Sequence, residues 1–369
     1  MVIEMKIFKY FLLFVIVFGA VYYYLQVMKQ DDPKAKIVNQ YEKLSNKILT
    51  KDDFRWGINV NLTPTDEQNI TSANQVLDLA KDLGADIIRV GGPVYDVNYF
   101  PFLGQAIDSA REKGLEVELI IGHDNKIIDG PDPELAGYKL GKQIAQQFKG
   151  KIEYYQLGNE LATYALKPSW GGDYADNYID DKMEKSLAWL KGISEAIHEV
   201  DPDAQRVATG HSVMYYFWQE AINRNIGFEV IGWDWHGDIL PIVSINKFEV
   251  DKKPYDLVGK LSSMGKKLWI QESGANGALV GYDNAAQYLA NYAQEIYLTP
   301  QFDGFFGFTL TDEIHQAGEK GWNKGLVALQ KDASAKNGYK IGVPRSTYKQ
   351  LQKVILEIKS GKIKPPERL

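Results

Sequence analysis

The chain has 369 residues, of which 45% are hydrophobic and 24% are charged, as in ordinary globular proteins. The net charge is −6 and no basic run is sustained, which argues against nucleic acid as a partner. Cysteine is absent, which excludes disulfide bonds and thiolate chemistry.

The N-terminal part of the chain contains a long segment without charges. It runs from Tyr10 to Met28 and follows Lys6 and Lys9. A helix needs about 20 apolar residues to cross a bilayer, and this segment is long enough. A cleaved signal peptide is the alternative, but its apolar region is shorter and ends in small residues, where this chain has Tyr22–Tyr24. We predict an uncleaved transmembrane signal-anchor over 10–28.

This anchor implies a location for the remainder of the chain. The lysines before the anchor place residues 1–9 in the cytoplasm by the positive-inside rule, although lysines also follow it. Everything after Met28 is then extracytoplasmic, on the periplasmic or extracellular face. Residues 29–53 have apolar side chains at helical spacing and are predicted to form a stalk or lead-in helix. One domain is predicted over 54–361, with a tail at 362–369.

Short apolar runs alternate with longer helical patterns throughout this domain, which indicates an α/β protein. The runs cover residues 54–60, 85–91, 115–122, 152–158, 205–210, 228–236, 267–272 and 304–310. Eight strand–helix pairs fit a (β/α)8 TIM barrel. The alternative is a doubly wound open sheet, which usually has a Gly-rich phosphate turn after its first strand. The corresponding segment here is "NVNLTPTDEQN".

Polar side chains follow several of these predicted strands. Glu160 comes just after the fourth strand in "YYQLGNELAT", and Glu272 closes the seventh in "LWIQESGANG". Others at strand ends are Arg89, His123, Asp124, His211, Trp235, His236, Phe308 and Asp312. Active sites of TIM barrels lie at the C-terminal ends of the strands, so these residues are predicted to converge on one site.

Each of these residues also has a purely structural interpretation. Glu160 could be a first-turn acid favoured by a helix dipole, although no strong helical pattern begins there. Glu272 could be a strand-end carboxylate paired with a lysine, and Arg89 could be a structural ion-pair partner. His123 and His211 could simply be satisfied hydrogen-bonding residues.

With these motifs the sequence resembles the clan A glycoside hydrolases over residues 54–361, and its spacing looks closest to families 39 and 5. "YYQLGNE" looks like the clan's strand-four motif, which implies that Asn159 contacts the sugar 2-hydroxyl and that Glu160 is the acid/base. "KLWIQESG" looks like the strand-seven motif, with Glu272 as nucleophile and Arg89 orienting it. The residues predicted to bind substrate are Arg89, His123, Asn159, Trp170, Trp235, His236, Phe308 and Trp322.

Two departures from the clan's pattern concern particular contacts. Phe308 stands where the clan usually has a tryptophan as the floor under the sugar. Gly237 and Asp238 follow His236, where a tyrosine often contacts the nucleophile, so the partner of the nucleophile is left open. Long loops after the fourth and eighth strands carry Trp170, Tyr174 and Trp322. These aromatic residues can stack on sugar faces, or they can pack the loops themselves.

The two glutamates suit one reaction in particular. Hydrolysis of a glycosidic bond with retention uses two carboxyl groups about 5–5.5 Å apart, one protonated and one ionised. Glu160 then needs a raised pKa, and Glu272 needs the positive field that Arg89 can supply. We predict a retaining O-glycosyl hydrolase that requires no metal or cofactor and acts on an oligo- or polysaccharide, such as an exported or envelope polysaccharide.

Two other classes of protein remain open. A metal-dependent hydrolase on the same fold would take its ligands from His123, Asp124, His211, His236 and Asp312. The first strand, "WGINVN", lacks the His-x-His pair expected for such a site. The other class is a catalytically inactive barrel that binds sugar or another partner.

Overall fold

The structure is a computed structural model that describes residues 53–65, 68–91, 96–168, 171–235, 248–250, 253–312 and 324–364. The predicted cytoplasmic segment 1–9, the anchor 10–28 and all but the last residue of the stalk 29–53 lie outside the described residues. Among the residues that are described, no helix combines the length and the apolar character needed to span a membrane.

Eight parallel strands close into a barrel in chain order, and the last of them, β10, pairs with β1. The barrel strands are β1 (Arg55–Val60), β2 (Ile87–Val90), β3 (Glu116–Ile121), β4 (Tyr154–Leu157), β5 (Gln205–His211), β6 (Val230–Asp234), β9 (Lys267–Ser273) and β10 (Gly304–Gly307). All eight coincide with the predicted apolar runs to within a few residues at each end. The (β/α)8 barrel is therefore confirmed, and the doubly wound sheet is wrong.

Helices follow the barrel strands, as the sequence pattern predicts. They are α1 (Ile70–Leu83), α2 (Phe100–Glu112), α3 (Asn125–Ile128), α4 (Pro133–Phe148), α5 (Leu161–Ala165), α6 (Asp180–Val200), α7 (Tyr215–Asn223), α8 (Leu257–Ser262), α9 (Gly277–Val280), α10 (Tyr282–Leu298) and α11 (Ser346–Lys359). In α1, for example, the side chain of Asn69 accepts hydrogen bonds from the first turn, and Gly84 ends the helix at φ +90°. An N-cap asparagine and a C-terminal glycine are sequence signals that mark the start and the end of a helix.

Two small antiparallel hairpins were not predicted from the sequence. Their strands are β7 (Phe248–Val250) with β8 (Lys253–Tyr255), and β11 (Val327–Lys331) with β12 (Tyr339–Pro344). The second hairpin is fastened to the barrel by Arg345, which donates to both carboxylate oxygens of Asp312 at 2.9 and 2.5 Å. Two of the five side chains of β11 are partly buried and two are exposed, so its sequence lacks the apolar run by which the barrel strands were recognised.

The inside of the barrel is built in layers. A buried apolar layer consists of Ile87, Tyr154, Val207, Val230, Trp269 and Phe306. Side chains alternate along a strand, so residues two positions further on face the same interior, one layer closer to the C-terminal ends. There the barrel holds a buried polar layer, made of Asn59, Arg89, Glu118, Gln156, Thr209 and Gln271. This polar layer forms the base of the candidate site.

Candidate active site

Arg89 is the centre of the polar layer and is only 2% exposed. Its Nε donates to Gln156 Oε1 at 2.6 Å, and its Nη2 donates to Asn159 Oδ1 at 2.7 Å. Its Nη1 donates to Asn59 Oδ1 and to Glu272 Oε1. One guanidinium thus joins strands β1, β2 and β9 to the end of β4. Because burial in low dielectric strengthens an ion pair, Arg89 stabilises the ionised form of Glu272.

The orientation of Glu272 depends on an extra residue in β9. Trp233 of β6 pairs with Ile270, but the next residue, Asp234, pairs with Glu272. The pairing of β9 with β10 contains the same extra residue. Strict alternation would point Glu272 away from the interior that Gln271 faces. The bulge lets both side chains reach the polar layer, and bulges of this kind re-aim side chains beside active sites.

Glu160 follows β4 in a left-handed conformation, with φ 47° and ψ 41°. Its backbone N–H donates to Thr209 Oγ1 at 2.9 Å. Contrary to the sequence interpretation, a short helix, α5, does begin directly after it. The side chain of Glu160 makes no capping hydrogen bond to that helix, however, so it is not a helix cap. Left-handed backbone is uncommon outside glycine and often marks functional positions. The residue is half-buried and therefore open to a ligand.

Asn159 lies next to Glu160 and is exposed at the mouth of the barrel. Its Oδ1 accepts hydrogen bonds from Arg89 and, at 2.9 Å, from Gln156 Nε2. Both donors engage the carbonyl oxygen of the amide, and this fixes the orientation of the side chain. Among the described residues the Asn159 amide nitrogen has no acceptor, so it can act as a donor at the mouth.

Asp234 is a third carboxyl group of the site, and the sequence reasoning did not single it out. It ends β6 and is 1% exposed. Burial raises the pKa of Asp234 well above its usual range, and the negative charges of Glu272 and Glu160 raise it further, while Arg89 opposes them. Asp234 therefore lies within electrostatic reach of both predicted catalytic glutamates.

Glu118 is a fourth carboxyl group, inside the barrel below the mouth, and it was also missed. It accepts a hydrogen bond from Gln271 Nε2, and one of its oxygens lies 3.8 Å from Arg89 Nε. Burial raises the pKa of Glu118 to about 8, against the lowering effect of Arg89 and with a further rise from Glu272. Glu118 is thus mainly protonated at neutral pH. The available signal was an acid in the middle of the apolar run "LEVELIIG".

The predicted histidines at the mouth are partly buried. His123 follows β3, and its Nδ1 has no hydrogen-bond partner among the described residues. Burial lowers the pKa of His123, so the ring is neutral. His211 ends β5 beside Asp234, and its Nδ1 lies 2.9 Å from Ser212 Oγ. Both rings are at strand ends on the same side of the barrel as Glu160 and Glu272.

The structure describes only some of the residues that were predicted to bind sugar. Trp235 follows β6, is half-buried, and lies with its ring centroid 5.3 Å from that of Trp233. Phe308 follows β10 and is half-buried, with Lys324 Nζ 6.0 Å from the ring centroid. Tyr174, on the loop after α5, is 53% exposed. The predicted residues Trp170, His236 and Trp322 lie outside the described residues.

Two acids proposed as metal ligands have other roles. Asp124 caps α3, where its side chain accepts a hydrogen bond from Lys126 N at 2.8 Å. Both carboxylate oxygens of Asp312 accept hydrogen bonds from Arg345. Over the described ranges, no three side chains of His, Asp or Glu are grouped so that they could hold a metal ion.

Comparison with known proteins adds structural relatives. No protein-family model and no curated protein matches the sequence. Among solved structures, the chain is similar to GH5_18 from Streptomyces cattleya in complex with GlcNAc, with 16% identity, a TM-score of 0.61, and 85% of this chain and 82% of that chain covered. The chain is also similar to xylanase 10B from Thermotoga maritima, with 15% identity and a TM-score of 0.59, over 86% of this chain and 98% of that chain.

A family 39 glycoside hydrolase from Bacteroides cellulosilyticus is also similar, with 14% identity and a TM-score of 0.56, over 84% of this chain and 65% of that chain. These three structures are clan A glycoside hydrolases with the same closed barrel. At such identities the likeness concerns the fold. The resemblance noted in the sequence is therefore confirmed at that level: the chain has a closed (β/α)8 barrel similar to the barrels of these clan A glycoside hydrolases.

Proposed function

We propose that the protein is a retaining glycoside hydrolase that cleaves O-glycosidic bonds of an oligo- or polysaccharide. The observation that carries the proposal is the buried hydrogen bond from Arg89 to Glu272, at the C-terminal end of a clan A type barrel. A carboxylate held ionised at that place is suited to act as a nucleophile. Glu160, half-buried at the end of β4, supplies the second carboxyl group.

The two carboxyl groups divide the reaction into two displacements. In the first, Glu160 donates a proton to the leaving oxygen, while Glu272 attacks the anomeric carbon and the C–O bond breaks. In the second, Glu160 accepts a proton from water, and the water oxygen displaces Glu272 from the same carbon. The two inversions give net retention, and no step needs a metal or a cofactor.

The surroundings of the two glutamates support a sugar as the substrate. The Asn159 amide nitrogen remains available to donate to a sugar hydroxyl, because Arg89 and Gln156 both engage its oxygen. Trp235 and Phe308 offer aromatic surface near the strand ends, and such faces stack on sugars. Among the structural relatives, the GH5_18 protein of Streptomyces cattleya was solved with GlcNAc and, as a variant, with Manβ1-4GlcNAc.

The proposed location follows from the sequence alone. The charge-free segment 10–28 would anchor the chain in a membrane, with the barrel on the extracytoplasmic face. A barrel in that place would act on exported or envelope polysaccharide.

The test is a turnover assay with the full chain and three variants. The substrates are a panel of activated aryl glycosides and envelope polysaccharides, and the variants are Glu160→Gln, Glu272→Gln and the exposed control Glu112→Gln. Proton NMR follows the configuration of the first anomer released. We expect retention in the wild type, loss of turnover in Glu272→Gln and wild-type rates in Glu112→Gln.

Glu160→Gln distinguishes the role of the acid from that of the nucleophile. Because a good leaving group needs little help from an acid, this variant should lose more rate on natural glycosides than on activated ones. Inverted product would contradict the assignment of Glu272 as nucleophile. A panel without turnover, with sugar binding unchanged in both active-site variants, would instead favour a binding barrel.

A further inference from the structure

Asp234 carries a carboxyl group that no donor of the described residues reaches. It is 1% exposed, and neither of its oxygens accepts a hydrogen bond from any donor in the described part of the chain. The strand pairing places it level with Glu272 on one side and with His211 on the other. A buried carboxylate without donors is strongly disfavoured, because no group replaces the water that its charge loses.

The guanidinium of Arg89 already donates its hydrogen bonds to side chains other than Asp234. Arg89 directs four of the five N–H groups of its guanidinium to four other side chains, as described above, and none of these hydrogen bonds goes to Asp234. The charged groups that face Asp234 are Arg89 on β2, Glu118 on β3, Glu160 after β4 and Glu272 on β9, and the imidazole of His211 lies beside it on β5.

One guanidinium therefore stands among four carboxyl groups. Like charges crowded into a buried site do not all ionise, so some of these groups must keep their protons. Arg89 donates to Glu272, which selects Glu272 as the ionised member. In the described part of the chain Asp234 has no such donor, and it lies beside that ionised group on the neighbouring strand.

We propose that Asp234 is a positioning residue for Glu272: it remains protonated beside the ionised nucleophile and donates its O–H to the Glu272 carboxylate. The inference rests on the proposed function, because it assigns Asp234 to the nucleophile of that reaction. The raised pKa of Asp234 agrees with this proton being retained at neutral pH.

The arrangement has a consequence for pH dependence. When Asp234 loses its proton, the nucleophile loses a hydrogen bond and gains a second negative charge beside it. Both changes disturb the position and the ionisation of Glu272. Activity should therefore fall on the alkaline side as Asp234 ionises, in addition to the fall that follows when the acid Glu160 loses its proton.

The first test compares pH profiles of kcat/KM for the full-length wild type, Asp234→Ala and Asp234→Asn. The alanine variant has no donor, and we expect its kcat/KM to fall by about tenfold or more at every pH. The asparagine variant always carries an N–H donor and cannot ionise. It should restore most of the lost activity and leave an alkaline limb that depends on Glu160 alone, about one pH unit or more above that of the wild type. An asparagine profile that superimposes on the wild type, or one as inactive as Glu272→Gln, would overturn the proposal.

The second test does not depend on turnover. Infrared difference spectra of wild type minus Asp234→Asn, taken from neutral to alkaline pH, report a protonated carboxyl group directly. Glu118→Gln is recorded in parallel, because Glu118 contributes a band of the same kind. We expect a band that is specific to Asp234 and disappears as the pH rises; its absence at neutral pH would overturn the proposal. A band without turnover on any glycoside would mean that the proton is present and that the proposed function is wrong.

Discussion

Arg89 donates hydrogen bonds to Glu272 and to Asn159, the residue next to Glu160. The same guanidinium therefore controls both sides of the candidate site, although the two glutamates are contributed by different strands. Arginine suits this role because its donors form a rigid planar fork that holds several acceptors at once. The position of Glu272 relative to Glu160 thus depends on one buried side chain.

Arg89→Lys should strongly impair activity, although the lysine keeps the positive charge of the arginine. Lysine has a single ammonium group, which cannot reach all the acceptors that Arg89 holds. Small displacements of catalytic groups are costly, so we expect kcat/KM to fall about 100-fold. Unfolding in urea should show a loss of about 2 kcal/mol, because buried acceptors lose their donors.

The matched control for that change is Arg55→Lys. Arg55 pairs with Glu116 at 3.0 Å, at the start of β1 and β3, and both side chains are partly exposed. Such exposed pairs contribute only about 0–1 kcal/mol, so activity and stability should remain close to wild type. Equal effects of the two substitutions would contradict the role assigned to Arg89.

Glu118→Gln should change how stability depends on pH. The pKa of Glu118 is about 8 in the folded chain, against 4.5 for the unconstrained group. Between these values the folded state binds the proton and the unfolded state has released it. By linkage, the contribution of Glu118 to the free energy of unfolding is lost as pH rises from 4.5 to 8 and stays constant above that, a change of roughly 3–5 kcal/mol.

The measurement is urea unfolding of wild type, Glu118→Gln and Glu112→Gln at pH 5, 7 and 9. Glutamine does not titrate, so Glu118→Gln should gain stability relative to the wild type at each step up in pH. Glu112 is exposed at the end of α2, and its substitution should leave the pH dependence unchanged. A constant difference between Glu118→Gln and wild type across the three pH values would refute the prediction.

Gly232→Ala should destabilise the barrel from within. A Cβ atom at this position of β6 would lie 1.7 Å from Gln271 Oε1 and 3.0 Å from a methyl carbon of Thr209. Gln271 must then move away from Glu118, to which it donates a hydrogen bond. Overpacking of this kind costs about 1–3 kcal/mol, which urea denaturation can resolve. Gly122→Ala is the control, because no neighbouring heavy atom lies within 4 Å of its added Cβ, and it should have almost no effect.

Much of the fold could be predicted from local patterns. The strands of the barrel are buried between its interior and the surrounding helices, so each appears as a short apolar run between helical patterns. Glu160, Glu272 and Arg89 were recognised because they interrupt or follow such runs. Their position at strand ends placed them at one mouth, since all strands of a parallel barrel point the same way.

Other features of the site depend on contacts between distant parts of the chain. Gln271 and Glu118 are 153 residues apart in sequence, and their hydrogen bond exists only because the barrel closes. The extra residue in β9 is likewise a property of strand pairing, and the local sequence "LWIQES" looks like a regular strand. Without that bulge, alternation alone would point Glu272 away from Arg89.

The sequence by itself therefore determined the order of strands and helices and the ends at which reactive groups lie, because both follow from burial patterns along the chain. The tertiary structure decided which of those groups lie together and which of them keep their protons. Glu118 and Asp234 join Arg89 and Glu272 only when closure of the barrel removes them from water. Their ionisation depends on that burial and on neighbours contributed by other strands, and neither is encoded in any single segment.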